Sequence, residues 1–127
     1  MTMWVDIHHE DKRGNIYRLV KPKRITFREK SFVIPAGFES DGVSVPRFAQ
    51  PLITPRIDPR SLRAGAAHDY IYRVQPEGWT RAEADLMFLC FLIEDGLSVP
   101  RALTAYTCVR GFGGKAWLEN RSKIEVH

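Results

Sequence analysis

The sequence predicts an α+β fold, with a small N-terminal antiparallel β-sheet packed on a C-terminal helical hairpin plus a third helix. Short alternating apolar segments separated by turn residues fill residues 1–40, as in β-hairpins. Helix-start and helix-stop signals recur over residues 58–121 and bracket the longest apolar run, LMFLCFLI (86–93). We therefore expect a single domain over residues 1–127, with β-hairpins up to about residue 40 and a helical half from about 58 to 121.

The β half is expected to contain two hairpins. MWVDIH and IYRLV flank the turn-forming EDKRGN, and RITF and SFVIP flank the polar REKS. Alternation of apolar and polar residues in such segments places one face of the strands against a core. The sequence therefore predicts an antiparallel sheet with one buried face.

The first two helices have clear start signals. Asp58 is a capping carboxylate before Pro59, whose fixed φ suits a first helical turn, so we expect a helix from about Pro59 to Arg73. The motif TRAE places Thr80 at a cap and Glu83 three residues later, which is the pattern of a capping box. We expect this capping box to begin the second helix.

The later helices are marked by glycine and proline. Gly96 is expected to end the second helix, and Ser98 with Pro100 to begin a third one that ends near Gly111. The segment KAWLENR then predicts a short fourth helix. DGVSVPR is nearly repeated as DGLSVPR, and we interpret both copies as a turn glycine, a serine that bonds backbone donors and a proline that opens a helical turn.

Composition gives no strong sign of a charged partner. The chain is 44% hydrophobic and 27% charged, with a net charge of +4, which is ordinary for a globular protein. The densest basic segment, KPKRITFREK (21–30), also contains Glu29. We interpret this segment as the solvated face of a hairpin, so a nucleic-acid partner is not expected.

Cysteine usage and apolar runs exclude further classes of protein. Cys90 and Cys108 lie in apolar runs without a cysteine or histidine at ligand spacing, which predicts buried thiols instead of a metal or redox pair. MTMWVDIHHE lacks the basic start and apolar core of a secretory signal. LMFLCFLI is too short to span a bilayer, so no transmembrane segment is expected.

A candidate site lies in AAHDYIYR. On a helix, His68 and Tyr72 are four residues apart and share a face, whereas the neighbouring Asp69 diverges from His68 by about 100°. Asp85 lies at the edge of the apolar run on the next helix, where an unpaired carboxylate is costly. We therefore expect Asp85 to pair with His68.

This pairing supports a catalytic interpretation. Asp85 would accept a proton from one imidazole nitrogen of His68, and the other nitrogen would act as a general base that activates water. Asp69 would bind a hard cation, Ca²⁺, together with backbone carbonyls of GFESDGVS and with Asp41 as a further ligand. The cation would polarise an ester carbonyl. Tyr72 and Ser44 are expected to support this site.

A structural interpretation accounts for the same residues. A satisfied buried network that fixes the register of two helices can form from His68, Asp69, Tyr72 and Asp85. Arg73, four residues after Asp69, can neutralise the charge of Asp69. The chain has no serine on a strand-to-helix glycine elbow, which is where a hydrolase nucleophile is found. Both interpretations stay open at this point.

The motif blocks resemble a known family. GFESDGVSVPR, HDYIYR, the pair Ala84–Asp85 and YTCVRGFGG, in this order, resemble a family of small phage and prophage proteins that is catalogued as a domain of unknown function. The resemblance covers roughly residues 30–115. It implies a bacteriophage or prophage origin, and hence a location in the host bacterial cytoplasm or the virion.

A narrower resemblance concerns the site itself. His68, Asp69 and Tyr72, in the pattern H-D-x-x-Y, followed by Asp85 on the next helix, are similar to secreted and viral phospholipase A2 enzymes. The resemblance implies that His68 is the base, that Asp69 binds Ca²⁺ and that Asp85 orients the histidine. The chain departs from those enzymes in having no Y-x-G-x-G-type calcium loop.

Two functional hypotheses of different class follow. The first is a phage-encoded, metal-assisted hydrolase of ester bonds, acting on lipids of the bacterial envelope. The second is a non-catalytic virion or tail-assembly component that binds other phage structural proteins, in which the His–Asp cluster is structural. The sequence leaves the oligomeric state open.

Overall fold

The chain adopts the expected α+β fold. In the computed structural model, the structure describes residues 5–11, 14–40 and 60–126. Within these ranges, β-strands come first and three long helices follow. The order and type of the elements confirm the predicted fold class.

The strands pair as hairpins but belong to two sheets instead of one. A three-stranded antiparallel sheet has the order β1–β2–β5, and a separate two-stranded sheet contains β3 and β4. Strand β1 pairs with β2 along its length, with a register shift between Ile7 and His9. The bounds are Val5–Asp11 (β1), Gly14–Leu19 (β2), Lys23–Phe27 (β3), Lys30–Ile34 (β4) and Glu39–Ser40 (β5).

The hairpin of β3 and β4 has one buried and one solvated face. Ile25, Phe32 and Ile34 face the core, whereas Arg24 and its cross-strand partner Val33 are exposed. The segment 21–30 therefore contributes polar and basic side chains mainly to the outer face of this hairpin, because alternate residues of a strand point to opposite sides.

The first helix, α1, spans Leu62–Val74. Ser61 occupies its N-cap without a side-chain capping hydrogen bond, and the preceding residue lies in a turn, so the helix begins later than the predicted Pro59. Asp58 and Pro59 themselves lie outside the described residues. At the other end, Gln75 takes the left-handed conformation at the C-cap, with φ of 49°.

The second helix, α2, spans Arg81–Glu94 and has the predicted capping box. The Thr80 side chain accepts a hydrogen bond from the Glu83 backbone N–H, and the Glu83 carboxylate accepts one from the Thr80 N–H. Lys30 of β4 donates to the same glutamate at 2.5 Å. Gly96 follows the helix with φ of +105°, as expected of a glycine that ends a helix.

The third helix, α3, is longer than predicted. It spans Val99–Val126 without interruption, so the predicted end near Gly111 and the separate fourth helix are both wrong. Glycine disfavours a helix but does not forbid it. Gly113 lies against Tyr72, where a larger residue would collide, so packing accounts for a glycine at this helical position.

The core lies between the helices and the inner face of the hairpin. Helix α1 packs against α2, α3 and β5, and its small residues Ala64, Ala66 and Ala67 are buried at these contacts. On the sheet side, Phe32 stacks on Tyr70 with ring centroids 5.2 Å apart. No helix in the described ranges has the length and apolar character needed to cross a bilayer.

The two cysteines are less buried than predicted. Cys90 on α2 and Cys108 on α3 are both free thiols of intermediate exposure. Intermediate exposure places each thiol at the edge of the apolar stripe of its helix, where a side chain keeps part of its surface in solvent.

Candidate functional site

His68 and Asp85 meet at the centre of the helical half. The Nε2 atom of His68, on α1, lies 2.7 Å from Oδ1 of Asp85, on α2. Asp85 is completely buried and His68 is only 5% exposed. The contact expected from the sequence is therefore present. His68 lies near the middle of α1, and Asp85 lies near the start of α2.

Asp85 accepts hydrogen bonds on both carboxylate oxygens. Oδ1 accepts from His68 and also from the Tyr72 hydroxyl, at 2.7 Å. Oδ2 accepts from Nη1 of Arg110 at 2.8 Å, and Nε of Arg81 lies 4.0 Å from it. Residues from α1, α2 and α3 thus converge on one carboxylate.

The two arginines were not predicted. Arg81 precedes Asp85 by four residues, a spacing that places both on one face of a helix, so the sequence contained a usable signal. Arg110 comes from α3, and nothing local in the sequence indicates that it reaches α2. Arg81 also donates to the backbone carbonyls of Val109 and Arg110, at 3.0 and 2.6 Å.

These contacts keep the Asp85 carboxylate ionised. Burial raises its pKa, but hydrogen bonds from His68, Tyr72 and Arg110 outweigh the burial, so that the pKa lies below its ordinary value of 3.8. The hydrogen bond to Asp85 raises the pKa of Arg110. Burial, with the hydrogen bond to Asp85, raises the pKa of Tyr72 well above its usual range. Tyr72 therefore stays a neutral hydrogen-bond donor.

The imidazole of His68 packs against two aromatic rings. Its centroid lies 4.3 Å from that of Tyr72 and 4.8 Å from that of Phe88. Within the described ranges the ring makes its hydrogen bond through Nε2. Because Asp85 is an ionised acceptor, Nε2 carries the proton in the neutral ring, and Nδ1 keeps its lone pair.

A catalytic histidine needs an opening through which substrate reaches the imidazole, whereas little of His68 is exposed. The imidazole side chain is 6% exposed, and that of Asp85 is fully buried. This burial is the feature expected of the structural interpretation, whereas the lone pair on Nδ1 is the feature expected of a base.

Asp69 contacts β5 and a cation of its own helix. Its Oδ2 accepts a hydrogen bond from the Ser40 hydroxyl at 2.6 Å, and Nη2 of Arg73 lies 3.8 Å away. Arg73 in turn donates to the backbone carbonyl of Glu39. Asp69 and Arg73 therefore connect α1 to strand β5. The sequence did not indicate that Ser40 takes part in this connection.

The described contacts of Asp69 include a cation that would compete with a metal ion. The guanidinium of Arg73 lies 3.8 Å from the carboxylate oxygen that accepts the Ser40 hydrogen bond, whereas Ca²⁺ takes six to eight oxygen ligands. The calcium site stays a prediction. Within the described ranges, no three His, Cys, Asp or Glu side chains converge to hold a metal ion. The predicted ligand Asp41 and the supporting residue Ser44 lie outside those ranges, so their roles stay predictions.

Comparison with known proteins identifies the family. Residues 17–109 match a protein family described as "Protein of unknown function (DUF1353)". The chain belongs to this family. The DUF1353 match begins in β2 and ends in α3, so it contains His68, Asp69, Tyr72 and Asp85.

The other comparisons give no relative of known activity. No curated protein matches the chain significantly, and neither does any solved structure. The match confirms that the chain belongs to a family catalogued as a domain of unknown function, whereas the motif blocks quoted for that resemblance are not tested. Phage origin and similarity to phospholipase A2 remain predictions.

Proposed function

We propose that the chain is a small ester hydrolase in which His68 is the general base and Asp85 orients it. The observation that carries this proposal is the 2.7 Å contact between Nε2 of His68 and Oδ1 of a buried, ionised Asp85. A histidine fixed through one nitrogen by a carboxylate has its other nitrogen in the basic form, as general base catalysis requires.

The proposed reaction needs no enzyme nucleophile. Nδ1 of His68 takes a proton from a water molecule, and the water oxygen forms a bond to the ester carbonyl carbon. When the tetrahedral intermediate collapses, the carbon–oxygen bond to the alcohol breaks and the alcohol oxygen takes the proton back from Nδ1. The products are a carboxylic acid and an alcohol, and the proton on Nε2 stays directed at Asp85 throughout.

The groups around Asp85 support this reaction because they keep its carboxylate ionised and hold it next to His68. Protonation of His68 in the reaction creates an imidazolium, which an adjacent carboxylate stabilises. Tyr72 and Arg110 each donate to Asp85, at 2.7 and 2.8 Å. Because both carboxylate oxygens are engaged, Asp85 cannot rotate away from His68, and the imidazole keeps one orientation.

The resemblance to phospholipase A2 supports lipid esters of the bacterial envelope as the substrate class. The order and spacing of His68, Asp69, Tyr72 and Asp85 carry this resemblance. No step of the proposed reaction passes through a cation, and the assay with and without calcium tests whether one is needed.

The test is release of fatty acid from vesicles of phosphatidylethanolamine and phosphatidylglycerol, with and without calcium. We expect hydrolysis by the wild type and a loss of at least about 100-fold in His68→Asn and in Asp85→Asn, since general base catalysis typically contributes that much. Asp95→Asn is the matched control, because Asp95 pairs with Arg63 at 3.0 Å and lies outside the His68–Asp85 pair.

The outcomes separate the proposal from its rivals. If His68→Asn is folded and hydrolyses lipid at the wild-type rate, another group is the base. Release by the wild type no faster than by vesicles alone would remove the lipolytic function. Circular dichroism of each variant checks that a loss of rate does not reflect a loss of fold.

A second candidate function is a non-catalytic virion or tail-assembly component that binds other phage structural proteins. The observation that favours it is the burial of His68 and Asp85, which are 5% and 0% exposed. In this case the hydrogen bonds to Asp85 serve only to fix the helices to one another. This candidate would be favoured if the wild type shows no hydrolysis and Asp85→Asn strongly lowers the free energy of unfolding.

A further inference from the structure

The middle of α3 contains three glycines, and two of them face the groups that hold Asp85. Gly111, Gly113 and Gly114 all lie inside the continuous helix Val99–Val126. Glycine is among the least favourable residues for a helix interior, because it gains the most freedom in the unfolded chain. Its occurrence three times in four residues calls for a reason in the packing of this segment.

Gly113 has such a reason. A Cβ at this position would stand 2.6 Å from the Tyr72 hydroxyl oxygen, and 3.2 and 3.3 Å from two carbons of the same ring. Gly114 faces the Arg81 guanidinium, with the nearest atom 3.7 Å from a built Cβ. Gly111 differs from both, since a Cβ there would meet nothing within 4 Å.

The Tyr72 hydroxyl is thereby confined between α3 and Asp85. It donates to Oδ1 of Asp85 at 2.7 Å and accepts from Nε of Arg81 at 3.2 Å. Trp117, one turn after Gly113, packs edge-on against the Tyr72 ring with centroids 5.2 Å apart. The centroid of the same ring lies 4.3 Å from that of the His68 imidazole. A displacement of Tyr72 therefore changes both its hydrogen bond to Asp85 and its packing against the imidazole.

We propose that Gly113 is a positioning residue for the His68–Asp85 pair. The missing side chain at this glycine leaves the space in which the Tyr72 hydroxyl reaches Asp85, and Tyr72 then fixes the carboxylate and the imidazole. A methyl group at Gly113 pushes the hydroxyl off Asp85 and loosens His68. Only the kinetic part of this inference rests on the proposed function, because the state of the imidazole can be observed without any substrate.

The experiment compares Gly113→Ala with Gly111→Ala by ¹⁵N NMR of the His68 ring. Both variants add one methyl group to the same helix, but only the first one meets Tyr72. We expect Gly111→Ala to keep the wild-type ring shifts, and Gly113→Ala to move them towards a mixture of tautomers. If the protein is a hydrolase, kcat falls by at least about tenfold in Gly113→Ala, as small displacements of reacting groups typically cause, and stays unchanged in Gly111→Ala.

Removal of the Tyr72 hydroxyl provides a second variant that tests the same contact. In a Tyr72→Phe background the closest atom to a new Cβ is gone, so adding Gly113→Ala there should change the His68 shifts much less than it does in the wild type. This double variant also answers the case in which Gly113→Ala alone fails to fold.

Two results would overturn the inference. One is a His68 spectrum in Gly113→Ala that is no more altered than that of Gly111→Ala. The other is an effect of Gly113→Ala that is equally large with and without the Tyr72 hydroxyl. Absence of hydrolysis in the wild type would instead overturn the proposed function and leave the NMR comparison valid.

Discussion

The Nε2 atom of His68 lies 2.7 Å from Oδ1 of Asp85, although seventeen residues and a helix–helix connection separate them. The contact joins the only carboxylate among the fully buried large side chains of the described residues to an imidazole that is itself buried. Helices α1 and α2 are therefore coupled by a buried polar pair, in addition to the more exposed ion pairs of Arg63 with Glu94 and Asp95, and we expect the buried pair to contribute to the stability of this region.

We expect Asp85→Asn to lower the free energy of unfolding by about 3 kcal/mol or more, because an amide leaves the donors of Tyr72 and Arg110 facing a partner that no longer carries charge. Chemical denaturation followed by circular dichroism measures this change. Glu94→Gln is the control, since Glu94 pairs with Arg63 while 59% exposed, and such surface pairs contribute at most about 1 kcal/mol. Equal losses in the two variants would contradict a buried network at Asp85.

The stability of the wild type should depend on acid through Asp85. Its folded-state pKa lies below the ordinary value of 3.8, so its contribution is complete above that value and is lost as the pH falls through the lower, folded-state pKa. We therefore expect the difference in unfolding free energy between wild type and Asp85→Asn to be constant at neutral pH and to narrow below about pH 4. Urea denaturation at several pH values checks this, and a difference that widens in acid would be contrary to it.

The sequence predicted those parts of the structure that depend on local signals. The capping box at Thr80 and the glycine turn at Gly96 are found as predicted, because both depend on residues a few positions apart. The pairing of His68 with Asp85 was also predictable, since a carboxylate at the edge of an apolar run needs a partner.

Other features depend on contacts between distant segments and could not be predicted. The GFGG segment carries the local signal of a helix end, although the helix continues through it, and the contact of Gly113 with Tyr72 depends on how α3 packs against α1. The hydrogen bond from Arg110 to Asp85 requires knowledge of how α3 crosses α2. The division of the strands into two sheets likewise depends on how β5 returns to β2.

Tyr72 should resist ionisation in alkali. Burial and the adjacent Asp85 carboxylate raise its pKa, so its contribution to stability is complete below the ordinary tyrosine value of about 10 and is lost only as the pH rises above it. We expect the absorbance titration of tyrosinate to be the same in wild type and in Tyr72→Phe until the protein unfolds. A wild-type titration with one additional tyrosine ionising near pH 10 would show that Tyr72 is accessible to hydroxide.

Removal of divalent cations should leave the melting temperature unchanged. The contacts of Asp69 include the Ser40 hydroxyl and the Arg73 guanidinium, and both stabilise a carboxylate without a metal. Thermal melting in calcium and in a chelator measures this directly. A melting temperature that rises with calcium in the wild type, but not in Asp69→Asn or Asp41→Asn, would instead support the calcium site predicted from the sequence.

Ser40→Ala tests the connection between β5 and α1. The variant removes the hydroxyl that donates to the buried Asp69 at 2.6 Å, and loss of a hydrogen bond to a charged group typically costs about 1.5 to 3 kcal/mol. Ser31→Ala is the control, because Ser31 lies on the exposed face of the β3–β4 hairpin, where its hydroxyl accepts a surface hydrogen bond from Thr26. Denaturation curves that superpose for the two variants would mean that Ser40 does not anchor Asp69.

The protonation state of the His68 ring is the most direct test of the whole account. In ¹⁵N NMR of the wild-type protein with the His68 ring in its neutral form, we predict a protonated Nε2 and an unprotonated Nδ1. This is the tautomer that donates to Asp85 and keeps a basic lone pair. A ring with the proton on Nδ1, or one that exchanges freely between both tautomers, would contradict the fixed His68–Asp85 pair on which the proposed base depends.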